Sequence, residues 1–407
     1  MLSVKTKQKQ IAVFKNGIGY LGPLIGIPFT LRFIDPESYG VYAVFVAVVT
    51  LLSPLLTMRA EMAAPAARDA GVREELFKLA GVALTVAAVL LAIVSSFGVF
   101  GGYLTSSLAF SLFAASSLQG WSNIHQSIAI YNGKPSSIID ARMVQGLVYG
   151  LVQPISAYLS GSIEALLFSD VLARFFFAAV LYRANRIEQA PWGHGFGVRK
   201  LNWSSIRIKD LAFSNFSVLC NGFSVQFIVI FAGLFFGAQV SAAVGVAYKI
   251  LSAPVRVISQ ALQPYFLSEF SASYRSGAAV RGVLYKYLKL GFYISLPVYG
   301  AVVLLASLLV ESYLQDWVFA LDYLYVIWPS FLISFFVIPI SQALVVTQNS
   351  RAQMMWELLR LLLLLVVSFV SVVIFQASAL EAISCLVISM SLAYVSLIFS
   401  VIRVFKV

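Results

Sequence analysis

Twelve stretches of about 20 mainly apolar residues, the length that crosses ~30 Å of hydrocarbon as a helix, run almost end to end through this 407-residue chain. They fall at 11–31, 39–58, 79–100, 106–130, 141–160, 163–183, 211–234, 239–267, 286–309, 321–347, 354–376 and 381–402. Their continuity excludes outer-membrane barrel strands, which alternate and run to roughly 10 residues. Charged residues make up 11% of the chain against roughly 25% in soluble domains, so a soluble fold is excluded too. The chain reads as an all-α integral membrane protein with about 12 transmembrane helices. The polar, basic start precedes an apolar segment long enough to span and stay, so no cleavable leader is expected.

Lys and Arg orient the spans. Lys5, Lys7 and Lys9 precede the first; Arg59, Arg68, Arg73 and Lys78 follow the second; Arg183, Arg186, Arg199, Lys200, Arg207 and Lys209 follow the sixth. The alternate connections hold the acids Asp35, Glu37, Glu164, Glu311, Asp316, Asp322 and Glu381 with a single cation, Arg32. Both termini are therefore expected in the cytoplasm. The net charge of +11 then marks topology, not a nucleic-acid partner. The longest polar connection splits the chain into a six-helix lobe at 1–184, a linker at 185–210 and a second lobe at 211–407. Such halves are common in secondary transporters, with the site between them near the bilayer midplane.

Nine of the thirteen prolines lie within spans. They are either hinges or ordinary membrane-helix prolines. Cys220 and Cys385 are expected to be buried free thiols. His125 and His194 lack metal-ligand spacing. With no Walker A motif, Ser-His-Asp order or cysteine cluster, no cofactor, metal or enzymatic centre is expected. Energy would come from a proton or sodium gradient, or from removal of the substrate.

Polar residues at three- and four-residue spacing mark faces turned toward protein or water. Such stripes occur at Ser116, Gln119, Asn123 and Gln126; at Ser214, Ser217, Asn221 and Ser224; at Lys249, Ser252, Arg256, Ser259, Gln260 and Gln263; and at Ser334, Ser341 and Gln348. Polar glue between helices explains any single one, whereas stripes in both halves suggest a wet cavity. Lys249 lies ~15 Å along its span, where a lysine costs at least ~2.5 kcal/mol and faces a pathway or a partner. An ion pair with another helix is the alternative. Arg256 is two turns further on the same face, as a second ligand for an anion or an interfacial snorkeler. Asp170 and Arg174 stand at i and i+4, as a self-neutralised pair or as an acid for a coupling ion. Glu61 is a further coupling candidate, or else a surface partner of Arg59. Lys15 and Asn16 open the first span, as an entry cation with its amide or as part of the basic terminus. Gly19, Gly22 and Gly26 follow as a close-packing face.

Several stretches resemble polysaccharide flippases of the Wzx type, which belong with MATE exporters and lipid II flippases in one superfamily. They are Phe14 to Pro54, including Lys15-Asn16 and Leu31-Arg32-Phe33-Ile34-Asp35-Pro36-Glu37-Ser38-Tyr39-Gly40; Arg59-Ala60-Glu61-Met62-Ala63; Gln119-Gly120-Trp121 with Asn123; Ser137 through Gln145 with Arg142; and Phe236-Gly237 leading to Gly245-Val246-Ala247-Tyr248-Lys249 and Pro254. The resemblance implies two six-helix lobes around a central cavity in the bacterial cytoplasmic (inner) membrane. It implies alternating access that carries an undecaprenyl-pyrophosphate-linked oligosaccharide to the outer leaflet, as in O-antigen and lipopolysaccharide assembly. The partners it implies are the lipid bilayer, that lipid-linked oligosaccharide, a polysaccharide polymerase and a chain-length regulator. Lys249 falls where the lipid II flippases have an essential arginine, while Tyr20 and Gly26 stand roughly where those proteins have first-helix cavity arginines. Pyrophosphate and sugar ligands are then expected among Lys249, Arg256, Lys15, Asn16, Asn123, Gln119, Arg142 and Asn221. A MATE-like cation-coupled multidrug exporter is the alternative function. A membrane glycosyltransferase or polymerase fits poorly with outer loops of about a dozen residues or fewer.

Overall fold

A computed structural model describes residues 2–66, 69–186, 208–276, 280–346 and 350–404. In chain order the α-helices are α1 Leu2–Leu31, α2 Pro36–Leu56, α3 Ala60–Ala63, α4 Ala70–Phe100, α5 Ser106–Tyr131, α6 Pro135–Leu147, α7 Gln153–Ser160, α8 Ile163–Arg186, α9 Ile208–Phe236, α10 Ala238–Pro254, α11 Gln260–Arg275, α12 Val280–Tyr313, α13 Ala320–Val346, α14 Ser350–Phe369 and α15 Ala379–Val404. A π segment, Val148–Val152, joins α6 to α7, and another, Val255–Ser259, joins α10 to α11. Each pair is thus one continuous rod, and the twelve expected spans are recovered as twelve rods among the described residues. Among the described residues nine helices are long and apolar enough to cross a membrane on length and composition alone. The rods that fall outside that criterion are α1, α5 and α6–α7. α5 and α6–α7 carry Gln119, Asn123, Asp140, Arg142 and Gln153, polar side chains that lower an apolar average yet find partners inside the bundle.

Helix starts follow ordinary capping chemistry. The Asp35 carboxylate accepts from the Ser38 N–H at 2.8 Å, with Pro36 at the first helical position, where its missing N–H costs nothing. Asp69 caps α4 through the Gly71 N–H at 2.6 Å. Pro254 lacks the N–H that would bond a turn back, and the adjoining π segment accommodates that break.

The chain forms two compact units, 1–38 with 45–219 and 39–44 with 220–407. The division between the units falls within α9, and residues 39–44 of α2 are grouped with the second unit. In the first unit α1 packs on α6, α5 on α8 and on α4. The small-residue face is a contact surface. A Cβ on Gly22 would overlap the Gly146 carbonyl, and one on Gly26 would come 2.7 Å from the Tyr149 carbonyl oxygen. Leu56, Phe77, Leu79, Ile124 and Ile128 form a core beneath α3. α4 turns Val89, Leu90, Val94 and Phe97 outward, a face suited to hydrocarbon. In the second unit α13 packs against α10, α12 and α15, and α14 against α15. Gly40 lets the Ala238 carbonyl approach where a Cβ would clash, and Tyr39 meets Trp317 edge-on with centroids 5.5 Å apart.

Both cysteines are free, and Cys220 is buried as expected. Cys385 corrects the expectation of burial: it is exposed on α15, on an apolar helix where a thiol can face lipid as a small hydrophobe.

Candidate functional site

The first unit contains a connected polar chain. Asp170 on α8 is 1% exposed and accepts from Arg174 Nε at 2.6 Å on one oxygen and from the Tyr149 hydroxyl at 2.6 Å on the other. Arg174 Nη1 donates to Gln119 Oε1 at 2.6 Å, Gln119 Nε2 to Asn123 Oδ1 at 3.0 Å, and Asn123 Nδ2 to Ser53 Oγ at 3.1 Å. The chain crosses from the π segment through α8 and α5 to α2. The ion pair cancels its own charge inside the bundle, and both Asp170 oxygens are engaged. Elsewhere in this unit Lys15 pairs with Asp140 at 2.7 Å, and Arg142 Nη1 donates to the Tyr20 hydroxyl at 2.8 Å. The Asn16 side-chain oxygen is buried with no protein partner.

Beside this chain opens a cleft of 370 Å³ lined by Ser53 of α2, Arg59 and Glu61 of the following turn, Asn123 and Gln126 of α5 and Arg142 of α6. Met58 and Arg59 both have φ of 51°, a left-handed conformation that costs side-chain-bearing residues of order 1 kcal/mol or more. The Asn215 amide holds the Met58 carbonyl at 2.6 Å. Glu61 is no surface partner of Arg59: it is 2% exposed, and its Oε2 has no hydrogen-bond partner. Burial pushes its carboxyl pKa above the usual range, against the opposing pull of the Thr57 hydroxyl and the Arg59 guanidinium.

In the second unit Lys249 is half-buried on α10, its Nζ 5.9 Å from the Tyr42 ring centroid. Arg256 is exposed in the π segment. Asn221 on α9 accepts from Arg360 Nη2 at 2.7 Å. Arg360 is 2% exposed and sits over the rings of Trp356 at 4.6 Å and Tyr394 at 5.8 Å. The stripe serines Ser252, Ser334 and Ser341 donate to carbonyls of their own helices. These hydroxyls therefore report no pathway. The side chains of Ser214, Ser259, Gln260, Gln263 and Gln348 lie outside the described residues. Among the described residues no group of three or more His, Cys, Asp and Glu could hold a metal ion.

Residues 31–320 match the family described as "Polysaccharide biosynthesis protein". The chain belongs to that family. No curated protein sequence matches the chain significantly, but its fold has solved relatives. It is similar over 97% of its length to 98% of a multidrug resistance MATE family transporter of the MOP superfamily in an inward-facing conformation, at 13% identity and a TM-score of 0.74. It is also similar to an outward-facing structure of such a transporter, at 14% identity and a TM-score of 0.60 over 97% of this chain and 95% of the other. A third similar structure is a D35N mutant of the Vibrio cholerae MATE transporter VcmN, at 14% identity and a TM-score of 0.58 over 99% and 98% of the two chains. The chain therefore has the MATE-type fold and is a multi-pass membrane protein.

Within it, sequence reasoning missed Asp140, Tyr149, Glu357 and Arg360. Glu357 and Arg360 are 3% and 2% exposed at i and i+3 on α14, with Gln353 Nε2 donating to Glu357 at 3.2 Å. Both lie within the first two turns of the apolar stretch 354–376, shallower than Lys249 in its span, so depth alone does not single them out. Asp140 and Tyr149 act as long-range partners, 125 residues from Lys15 and 21 from Asp170, and no spacing rule reaches them.

Proposed function

We propose that this protein is a flippase that moves an undecaprenyl-diphosphate-linked oligosaccharide from the cytoplasmic to the outer leaflet of a bacterial cytoplasmic membrane by alternating access, without altering it chemically. The observation that carries the proposal is the match of residues 31–320 to polysaccharide biosynthesis proteins in a chain with a transporter's fold. Lys249 supports it, as a half-buried cation well inside α10, where charge is retained for a pathway or a partner. The basic loops favour cytoplasmic termini. A polymerase and a chain-length regulator would act on the flipped product.

A multidrug exporter of cationic compounds needs an acid open to its substrate, and Asp170 is closed off by Arg174 and Tyr149. Of the coupling candidates, Glu61 has a buried oxygen with no hydrogen-bond partner and is the better carrier for a proton. Lys249→Ala is expected to abolish surface polysaccharide in a strain dependent on this protein, and Lys249→Arg to retain part of it. Normal polysaccharide from well-expressed Lys249→Ala protein would refute the role of the lysine. Cationic-dye export that falls in Asp170→Asn would instead favour the exporter.

A further inference from the structure

The outer edge of α12 repeats every four residues. Arg281, Tyr285, Lys289 and Tyr293 stand on it one after the next, all exposed, because residues four apart share a helix face. The same line then turns apolar at Leu296, Gly300 and Leu304, also exposed. Leu284, Gly291, Ser295 and Tyr299 are buried on the other side, where Tyr299 meets Phe335 of α13 with ring centroids 6.2 Å apart. The charge on the exposed edge is not cancelled. Arg281 Nη2 donates to the Tyr285 hydroxyl at 3.3 Å, and Lys289 Nζ is 5.9 Å from the centroid of the Tyr293 ring; both partners are neutral. Among the described residues no carboxylate pairs with either cation, whereas Lys286 beside them is held by Glu269 at 2.8 Å and Lys78 of α4 by Glu74 at 2.9 Å. Lys289 also lies within the apolar stretch 286–309, where a lipid-facing lysine reaches back to the headgroup layer.

We propose that this edge binds one anionic phospholipid of the bilayer, its phosphodiester held between Arg281 and Lys289 and its acyl chain laid over Leu296, Gly300 and Leu304. The two cations are ~12 Å apart along the axis, a gap that two long side chains close around a single phosphate. Tyr285 stands between them, and its hydroxyl accepts from Arg281 while keeping a proton to give. Guanidinium and ammonium groups both suit phosphate oxygens. Gly300 leaves a notch between two leucines, since a Cβ there would meet nothing within 4 Å, and an acyl chain can lie in it. The topology proposed above puts the Arg281 end at the cytoplasmic leaflet, where anionic lipids attract basic segments beside the membrane. Tyrosines are at home at that depth, with a wet hydroxyl and an apolar ring. The lipid is a partner of the fold and not its cargo, and the edge is separate from Lys249, which stands on α10.

A fluorophore beside the two cations reads which lipid lies there. The full chain, with Cys220 and Cys385 replaced by alanine and carrying a labelled Leu296→Cys, is placed in phosphatidylcholine nanodiscs, and chain-spin-labelled phosphatidylglycerol or phosphatidylcholine is titrated in as the quencher. Phosphatidylglycerol is expected to quench at a mole fraction about tenfold lower or less. A label at Val86→Cys on α4 is the control, exposed and as far from the start of its helix as Leu296 is. It should show no such preference, because Lys78 of α4 is already paired with Glu74 and Glu75. Arg281→Gln and Lys289→Gln should each lower the preference about fivefold, the worth of one cation at an anionic surface, and the double variant should leave the two lipids nearly equal. Lys289→Arg should keep the preference. Melting curves check that the variants fold; should one not, added sodium chloride supplies the test on the unsubstituted edge, where it should weaken the preference. Equal quenching by the two lipids in the parent protein, a preference as large at Val86→Cys, or one that survives in the double variant or ignores salt overturns the site. Inorganic phosphate that relieves phosphatidylglycerol quenching beyond sodium chloride of equal ionic strength would assign the cations to free phosphate and overturn the lipid. Quenching is read without transport, so neither result touches the flippase reading, which polysaccharide export in Lys249→Ala decides.

Discussion

Replacing Asp170 with alanine is expected to cost about 3–5 kcal/mol, the effect of stripping one partner from a buried ion pair. Arg174 would stay 8% exposed on α8 with its Nε facing the space left by the carboxylate, and the Tyr149 hydroxyl would lose its acceptor. The change should lower the melting temperature in detergent by many degrees. It should also loosen the contact of Gln119 with α8, because Arg174 is the donor that joins them. Asp170→Leu combined with Arg174→Met should recover much of the lost stability, since replacing both ions with apolar groups of similar volume is often neutral. A single Asp170→Ala variant that melts with the wild type would show that the pair is solvated and not structural.

Gly22→Ala is expected to destabilise the first unit by about 1–3 kcal/mol or more, the range for an added methyl in a full contact. The new Cβ would overlap the backbone carbonyl of Gly146, which cannot rotate away as a side chain would. α1 and α6 must then separate, and with them Lys15 from Asp140 and Tyr20 from Arg142. Gly17→Ala on the same helix is the control, because a Cβ there meets nothing within 4 Å. Removing a helical glycine at an open position should be neutral or stabilising by up to about 1 kcal/mol. Melting curves of the two variants measured side by side check the contrast; equal curves would contradict the close packing of α1 on α6.

The two substitutions also separate what a single helix specifies in its sequence from what only the packed bundle specifies. Gly19, Gly22 and Gly26 were legible as a packing face because their spacing is a property of one helix. Asp170 with Arg174 was legible for the same reason. Tyr149 and Gln119, which complete that cluster, come from other rods, and no local pattern joins them. The rods themselves were legible from apolar length. The π segments at 148–152 and 255–259 lie next to Pro154 and Pro254, so a disturbance was foreseeable there. A third π segment, Val370–Ile374 at the end of α14, contains no proline, and nothing in the sequence marks it. Glu61 reads from the sequence either as a coupling acid or as a surface partner of Arg59. Its burial comes from α3 packing on α4 and α5, a tertiary fact. Lys15 reads from the sequence either as an entry cation or as part of a basic terminus, because its partner Asp140 is 125 residues away. Arg360 lies near the start of its span, shallower than Lys249, and its partner Asn221 is 139 residues away, so no local pattern singles it out.

Transport itself gives the most direct test of the central claim. Purified protein is reconstituted in liposomes carrying an isoprenyl-diphosphate oligosaccharide, and the fraction of sugar open to a glycosidase outside is followed over time. The flippase reading predicts that wild-type protein exposes the inner-leaflet pool, that Lys249→Ala exposes only the outer-leaflet fraction present at the start, and that Lys249→Arg lies between. An inner pool that stays protected with wild-type protein, or one that Lys249→Ala releases just as fast, would contradict it.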